Sequence, residues 1–411
     1  MHKIGEFIYP WGSGHYSRMV RFHEAFIDLM KEDFEAHFSS KDHVYHKLLE
    51  KFPDQQDKIH NILMPTPIDG KFGPSIIKSM LNFLLPIAQN PPLVSQIVDY
   101  LREERKLYNK ENFDLVINDG DMGSNILAKN RNIPSLFITN QFRPKLYKSK
   151  VYLYPSLYFI AKQIAKASKI IVADSPPPYT LCEFNLNFTK EVQSKVSYVG
   201  HFINKKNIHK DPPSDLERII QDNDFGYWMR TGNKSTNDGT GERYEQVFHQ
   251  EEMKNEKRIV SHAKNDSSIN SVLGKNGKKF SVSEALEKKI DWIQIDIGYL
   301  SEQEKEEVLG LSKYAVVNGS HTVMGEILGG KVKPIIGIPI YDEHTNNIRW
   351  AEKKNLGIFA SKTQHVIKGI KTIKENYDEF EGNLRDFSKN FVSNGAENTA
   401  KIAVEILEEK R

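Results

Sequence analysis

Along the first half of the chain, short apolar runs alternate with stretches in which apolar residues recur every three or four positions. KIGEFIYP, residues 3–10, reads as a short buried strand, and Met19, Val20, Phe22, His23, Phe26, Ile27, Leu29 and Met30 then follow helical spacing. EAHFSS, FDLVIND (113–119), IPSLFIT, IIVAD and SYVGHF read as further strands, with helical patterns in GSNILAKNRN and YFIAKQIAKASK. Such alternation predicts an α/β domain: a doubly wound parallel sheet with helices on both faces.

The stretch INKKNIHKDPPSDLE, 203–217, is polar, basic and carries Pro-Pro, so it reads as a linker. A second alternating set follows it. FGYWMRTG runs into a glycine-containing loop, GNKSTNDGTGERY, with a helix expected around Glu242 to Gln250. KRIVSHA, DWIQIDIG, KYAVVNG and KPIIGIPI read as strands, and residues 266–289 are polar and ambiguous. SEQEKEEVLGLS has a serine N-cap and an acidic first turn, which predicts a helix. HTVMGEILGG and the amphipathic NTAKIAVEILEEKR are further helices. The expected organisation is two Rossmann-like domains facing a cleft, over 1–202 and 218–385, with a terminal helix over 386–411 that returns toward the first.

Composition narrows the classes. The 411 residues hold 57 basic and 54 acidic side chains, a net charge of +3 that gives no case for a nucleic-acid partner. The single cysteine, Cys182, excludes an intramolecular disulfide framework and a cysteine-rich zinc site. No signal peptide or membrane-spanning run is visible, so a cytoplasmic protein is the simplest reading. Two segments stand apart. Residues 73–101 are the most apolar and are broken by Pro86, Pro91 and Pro92; they read as core or as an acceptor-side lid. Residues 143–169 mix Lys and Arg with Tyr, Phe, Leu and Ile, a composition that suits either a peripheral contact with anionic membrane or a domain face with solvated lysines.

Ligands of doubly wound sheets sit beyond the carboxyl ends of the strands. Two turns there carry candidate chemistry. Gly12-Ser13-Gly14-His15 follows the first strand, with Arg18 one turn on. Alone, it is open to three readings: a phosphate cradle, a catalytic histidine, or a well-made corner. Asn318-Gly319-Ser320-His321 follows a later strand and opens a helix near Thr322, whose free N–H groups suit a phosphate. Glu326 lies four residues beyond Thr322, and a carboxylate there can accept from a ribose diol. Asp342, Glu343, His344, Asn346 and Asn347 form a polar loop after Pro339.

The segment 314–358, with NGSHTVMGE, GGKVKPIIGIPI and DEHTNNIRWAEKKNLGI in that order, resembles the donor-binding half of GT-B glycosyltransferases. It is most similar to the family of the lipid-intermediate N-acetylglucosaminyltransferase of peptidoglycan synthesis, glycosyltransferase family 28-like, and related archaeal enzymes. Ser320 replaces the usual second glycine, Gly-Lys-Val-Lys-Pro stands for Gly-Lys-Pro, and His344 stands for Gln. The resemblance implies a GT-B fold and a nucleotide-sugar donor, with UDP the favoured nucleotide. It implies that Glu326 holds the ribose, that Gly319, Ser320, His321 and Thr322 face the diphosphate, and that His344 and Asn347 lie near the sugar or ribose. The loop 230–244 resembles the family's first glycine loop only loosely, with Gly232 and Thr240 as its diphosphate candidates. The opening turn resembles the acceptor domain's Gly-X-Gly-His. That makes His15 a candidate base for an acceptor hydroxyl, with Gly12 and Gly14 giving the acceptor access and Arg18 meeting an acceptor phosphate or carboxylate. The acceptor itself is unknown; a lipid or lipid-linked compound fits the family and the basic aromatic segment.

Asp119 and Asp121 read equally as turn caps and as a second base or acceptor-hydroxyl partners. His201 reads as structural, and His262, in RIVSHAKND, is a residue that could reach the cleft but has no motif behind it. No metal motif stands out, and leaving-group stabilisation is expected from helix N–H groups and cations, without cofactor or metal. The implied reaction is sugar transfer from a nucleotide diphosphate to a hydroxyl with inversion; the rival readings are a nucleotide-sugar 2-epimerase and a non-catalytic nucleotide-sugar binder.

Overall fold

A computed structural model describes residues 1–12, 14–31, 33–70, 73–87, 90–203, 212–220 and 222–409. The chain divides into two compact units, one of Met1–Gly70, Pro74–Ile203 and Val392–Arg411, the other of Lys71–Gly73 and Asn204–Phe391.

The first unit holds strands β1 (His2–Ile8), β2 (Phe34–Ser40), β3 (Ile59–Asn61), β4 (Leu115–Asp119), β5 (Ser135–Thr139), β6 (Lys169–Val172) and β7 (Val196–Tyr198). They lie in the order β3-β2-β1-β4-β5-β6-β7, and each neighbouring pair is parallel. The order reverses between β1 and β4. Every residue of β4 and β5 is buried, as expected where helices cover both faces of a sheet and make each strand a continuous apolar run.

Its principal helices are α1 (Gly14–Met30), α2 (Leu93–Glu111), α3 (Met122–Asn130) and α4 (Tyr154–Ile164). Helix α1 buries Met19, Phe22 and Phe26 against Ile4, Ile8, Phe38 and Ile117. Ala396, Ala400, Ala403 and Leu407 of the last helix, Gly395–Glu408, complete that cluster. Their spacing marks one helical face, and the alanines allow close approach.

The second unit holds β8 (Gly226–Met229), β9 (Arg258–Ser261), β10 (Ser271–Gly274), β11 (Lys279–Phe280), β12 (Trp292–Ile297), β13 (Tyr314–Val317), β14 (Ile335–Gly337) and β15 (Gly357–Phe359), in the order β11-β10-β12-β9-β8-β13-β14-β15. Its order reverses between β8 and β13. The six strands from β12 to β15 are parallel, and β10 and β11 extend the edge antiparallel. Trp228, Tyr244, Val260, Tyr314, Val316 and Ile336 share its core. Its principal helices include α5 (Lys234–Phe248), α6 (Glu302–Leu311), α7 (His321–Gly325) and α8 (Asp342–Lys353); the terminal Gly395–Glu408 becomes α9.

Three expectations are corrected. The glycine-containing loop of 230–244 is mostly helix: Asn233 caps α5 by accepting from the Thr236 N–H. The ambiguous 266–289 contains the β10–β11 hairpin and a short helix, Val282–Glu287, closed by a capping box between Ser281 and Glu284. Of the expected linker, 204–211 lie outside the described residues, and Ser214 caps a helix over Asp215–Ile219.

Candidate active site

In the first unit, the order reversal brings the opening turn beside the end of β4, with Ile8 opposite Asp119. Gly12 has φ +74° and Gly14 begins α1; Ser13 lies outside the described residues. His15 Nδ1 stands 2.6 Å from Asp119 Oδ1. Arg18 Nε and Nη2 donate to the two oxygens of Asp119, both at 2.7 Å. Burial works to raise the Asp119 carboxyl, but the Arg18 guanidinium and the His15 imidazole outweigh it and hold the group below its ordinary value.

Asp119 is therefore ionised, and an ionised carboxylate only accepts. Arg18 Nη2 also lies 3.1 Å from His15 Nδ1, but the shorter contact, to the ionised carboxylate, makes Nδ1 the donor and leaves Nε2 outside the pair. Gly120, at φ +82°, gives the imidazole room: a Cβ there would lie 3.0 Å from His15 Cε1 and 2.9 Å from Tyr9 Cβ. Tyr9 meets the imidazole edge-on.

Two acceptor assignments are corrected here. Arg18 is 5% exposed and turns inward onto Asp119, so it orients the carboxylate instead of meeting an acceptor phosphate. Asp121 is 2% exposed and caps α3 by accepting from the Gly123 N–H; Tyr100 Oη donates to the same oxygen. Burial raises its carboxyl pKa. Of its two readings, the cap is the one realised.

In the second unit, the reversal places the turn after β8 beside the turn after β13, and Asn318 Nδ2 donates to the Thr231 carbonyl at 3.3 Å. Gly319 has φ +96°, and a Cβ there would lie 2.8 Å from the His344 carbonyl oxygen. Asn347 Nδ2 donates to the Gly319 carbonyl at 3.0 Å, and the Ser320 N–H to Asn318 Oδ1 at 3.2 Å. Thr322 lies in the first turn of α7, and His321 is buried. His344 is buried, stacks on Tyr341 with centroids 3.8 Å apart, and burial pushes its imidazole down to about 3. It is a neutral packing element of this corner.

Glu326 opens a π-helical stretch, Glu326–Lys331, a distortion frequent at functional sites. Lys305 Nζ donates to both its oxygens, at 2.7 and 2.6 Å. The carboxylate keeps lone pairs for a diol. Lys305 was not singled out from the sequence, since a lysine on an exposed-looking acidic helix carries no signal. Gly232 has φ +97° and faces Thr236. Thr240 is corrected: it is fully buried within α5 and its hydroxyl donates to the Thr236 carbonyl at 2.7 Å, which removes it from the diphosphate candidates.

The apolar stretch of 73–101 is corrected in part: Ile77, Met80, Leu81, Phe83, Leu84 and Leu85 are exposed, so this part is not core. Val151, Tyr152, Tyr154, Tyr158 and Phe159 of the basic aromatic segment are exposed too. Among the described residues no helix is long and apolar enough to cross a membrane. Glu35, His37 and Glu111 bring possible metal-ligand atoms within 4.8 Å of one another. Lys3, Lys58 and Lys110 pair with those carboxylates, so the group reads as an ion-pair network.

No family model matches the chain. An uncharacterized glycosyltransferase of Methanosarcina mazei is 28% identical over 214 residues, 50% of this chain and 52% of the relative. The chain thus spans about half the length of that curated relative. Among solved structures, UGT2 of Phytolacca americana, complexed with UDP-2fluoro-glucose and pterostilbene, aligns with TM-score 0.63 at 14% identity, over 99% of each chain. The structure of a candidate UDP-N-acetylglucosamine 2-epimerase from Listeria monocytogenes aligns with TM-score 0.56 at 11% identity, over 98% of this chain and 94% of that one. The two doubly wound units, each with its order reversal, have the GT-B fold of glycosyltransferases.

Proposed function

We propose that the protein is a glycosyltransferase that moves a sugar from a nucleotide-diphosphate sugar, with UDP as the nucleotide, to an acceptor hydroxyl. The observation that carries this reading is the His15–Asp119 pair at the order reversal of the first sheet, on a turn opened by Gly12, Gly14 and Gly120. His15 Nε2 takes the proton of the acceptor hydroxyl, and the oxygen attacks the anomeric carbon. The bond from that carbon to the diphosphate oxygen breaks, and its electron pair leaves with the nucleotide, inverting the carbon. Asp119 stabilises the imidazolium that forms. The turns at Gly232 and at Gly319–Thr322 receive the diphosphate, Glu326 the ribose, and His344 and Asn347 shape the corner beside them.

The exposed apolar residues between Ile77 and Leu85, and the aromatic residues between Val151 and Phe159, support an apolar or lipid-linked acceptor and a peripheral membrane contact. The name of the M. mazei relative and the UDP-sugar held by the pokeweed structure support the class; the fold alone does not separate it from the epimerases.

Thermal-shift titration tests the donor site. UDP, GDP or ADP and their sugars should raise the melting temperature, because a ligand of the folded state stabilises it by mass action. No shift with any of them would refute a donor site. Incubation with a UDP-sugar alone distinguishes the rival: clean epimerisation without acceptor would refute the transferase reading.

A further inference from the structure

Arg230, His262 and Asp296 stand in a row at the carboxyl ends of β8, β9 and β12, which are neighbours in the second sheet. Arg230 is the first residue past β8, His262 the first past β9, and Asp296 the last but one of β12. Asp296 Oδ1 lies 2.9 Å from His262 Nε2, and His262 Nδ1 lies 3.1 Å from Arg230 Nη1. The two ends fix the direction of both bonds, since a guanidinium only donates and a carboxylate only accepts. His262 thus accepts on Nδ1 from Arg230 and donates from Nε2 to Asp296.

The row is anchored behind and clamped in front. Gln294 Nε2 donates to the other oxygen of Asp296 at 2.8 Å, and Arg258 Nε donates to Gln294 Oε1 at 2.7 Å. Asn237 Oδ1 accepts from Arg230 Nε at 3.1 Å, while its amide donates to the His262 carbonyl at 2.8 Å. Gly241 of α5 lets the guanidinium lie against the helix, since a Cβ there would come within 2.5 Å of Arg230 Cζ.

His262, Asn237 and the Gly241 backbone thus fix this arginine, yet among the described residues its nearest carboxylate, Asp238, is 3.7 Å away and also shared with Lys264. Arg230 is 12% exposed at the end of the strand where the sheet reverses its order. A held, incompletely neutralised guanidinium at that position is an anion receptor whose ordering cost is met before the ligand arrives.

We infer that Arg230 binds the diphosphate of the nucleotide donor, and that His262 and Asp296 are positioning residues that hold it in place. The inference rests on the donor site proposed above and names a cation for it. It gives the glycines of α5 a purpose other than a phosphate loop: Gly241 seats the arginine.

Calorimetric titration of the full chain with UDP and with uridine tests it. Arg230→Gln should weaken UDP binding about tenfold or more, the scale of one charge-assisted hydrogen bond, and leave uridine binding unchanged. Arg230→Lys, which keeps the charge without the fork, should fall between. His262→Ala should weaken UDP several-fold with uridine unchanged, and His262→Gln, whose amide both accepts and donates, should restore most of that loss. Equal UDP binding by wild type and Arg230→Gln would overturn the inference while leaving the donor site standing. Parallel loss of UDP and uridine in the variants would also overturn it, by showing a structural role. If the wild type bound none of UDP, GDP or ADP, the donor-site reading would fall and this inference with it.

Discussion

The carboxylate of Asp119 holds the His15 imidazole and the buried Arg18 guanidinium together, so its loss should have two separable consequences. Asp119→Asn should lower kcat at least tenfold by freeing the imidazole to turn or change tautomer. It should also cost about 3 kcal/mol in urea unfolding, because Arg18 is left as a buried charge without its partner. His15→Ala should lower kcat by about 10²- to 10⁴-fold while leaving the calorimetric affinity for UDP unchanged, since its part is played at the acceptor. The depressed pKa of Asp119 fixes a sign for acid. Its stabilisation is fully present above the ordinary aspartate range, about pH 4, and is lost as pH falls through the lower folded value. His344 works in a higher window. Burial keeps it neutral down to about 3, whereas the unfolded chain takes up a proton near the ordinary 6.5. Stability is therefore lost as pH falls from there, by up to about 1.4 kcal/mol per pH unit. His344→Gln should flatten the dependence of urea midpoint on pH between about 6.5 and 5.

Turns and helices show what a linear pattern conveys and what it hides. Strand ends at Ile8, Asp119 and Val317 were legible because a strand covered on both faces is an unbroken apolar run. The serine cap and acidic turn of α6 were legible for the same local reason, and the capping box between Ser301 and Glu304 is present. The first half of α5, before Glu242, was hidden by its own glycines and threonines, which are poor helix formers. Its tertiary contacts override that: Tyr244 and Val247 enter the core, and Gly241 is where the Arg230 guanidinium packs. Arg18 shows the same gap at closer range. Spacing puts it one turn past His15, but only the pairing of β1 with β4 shows that it meets a carboxylate 101 residues away. The positive-φ glycines give the element-scale prediction. Gly120→Ala must strain the backbone and crowd Cε1 of His15. It should reduce kcat more than KM and cost about 1 kcal/mol or more in stability, read by steady-state kinetics beside urea unfolding.

Over the whole molecule, the two sheets reverse their order in the same way, β3-β2-β1-β4 in one and β12-β9-β8-β13 in the other, and such a reversal is where sheets of this kind take ligands. The two alternating sets were readable from the pattern alone, but the strand orders were not. The edge hairpin β10–β11 was not, because its strands are too short and polar to show a period. The membership of α9 is the less obvious feature. Although it is the last helix, its alanine face belongs to the core of the first unit, against Met19, Phe22 and Phe26. Truncation after Phe391 should therefore speed amide exchange in β1 and α1 while leaving β8, β13 and β14 protected, as read by hydrogen exchange with mass spectrometry. The same packing sets an order of events during synthesis. β1 and α1 leave the ribosome well before α9, so the part of the α1 face that the α9 alanines cover stays open until that later helix follows. A segment made early is thus completed by one made more than 350 residues later, and in between it carries an apolar surface that can meet other chains.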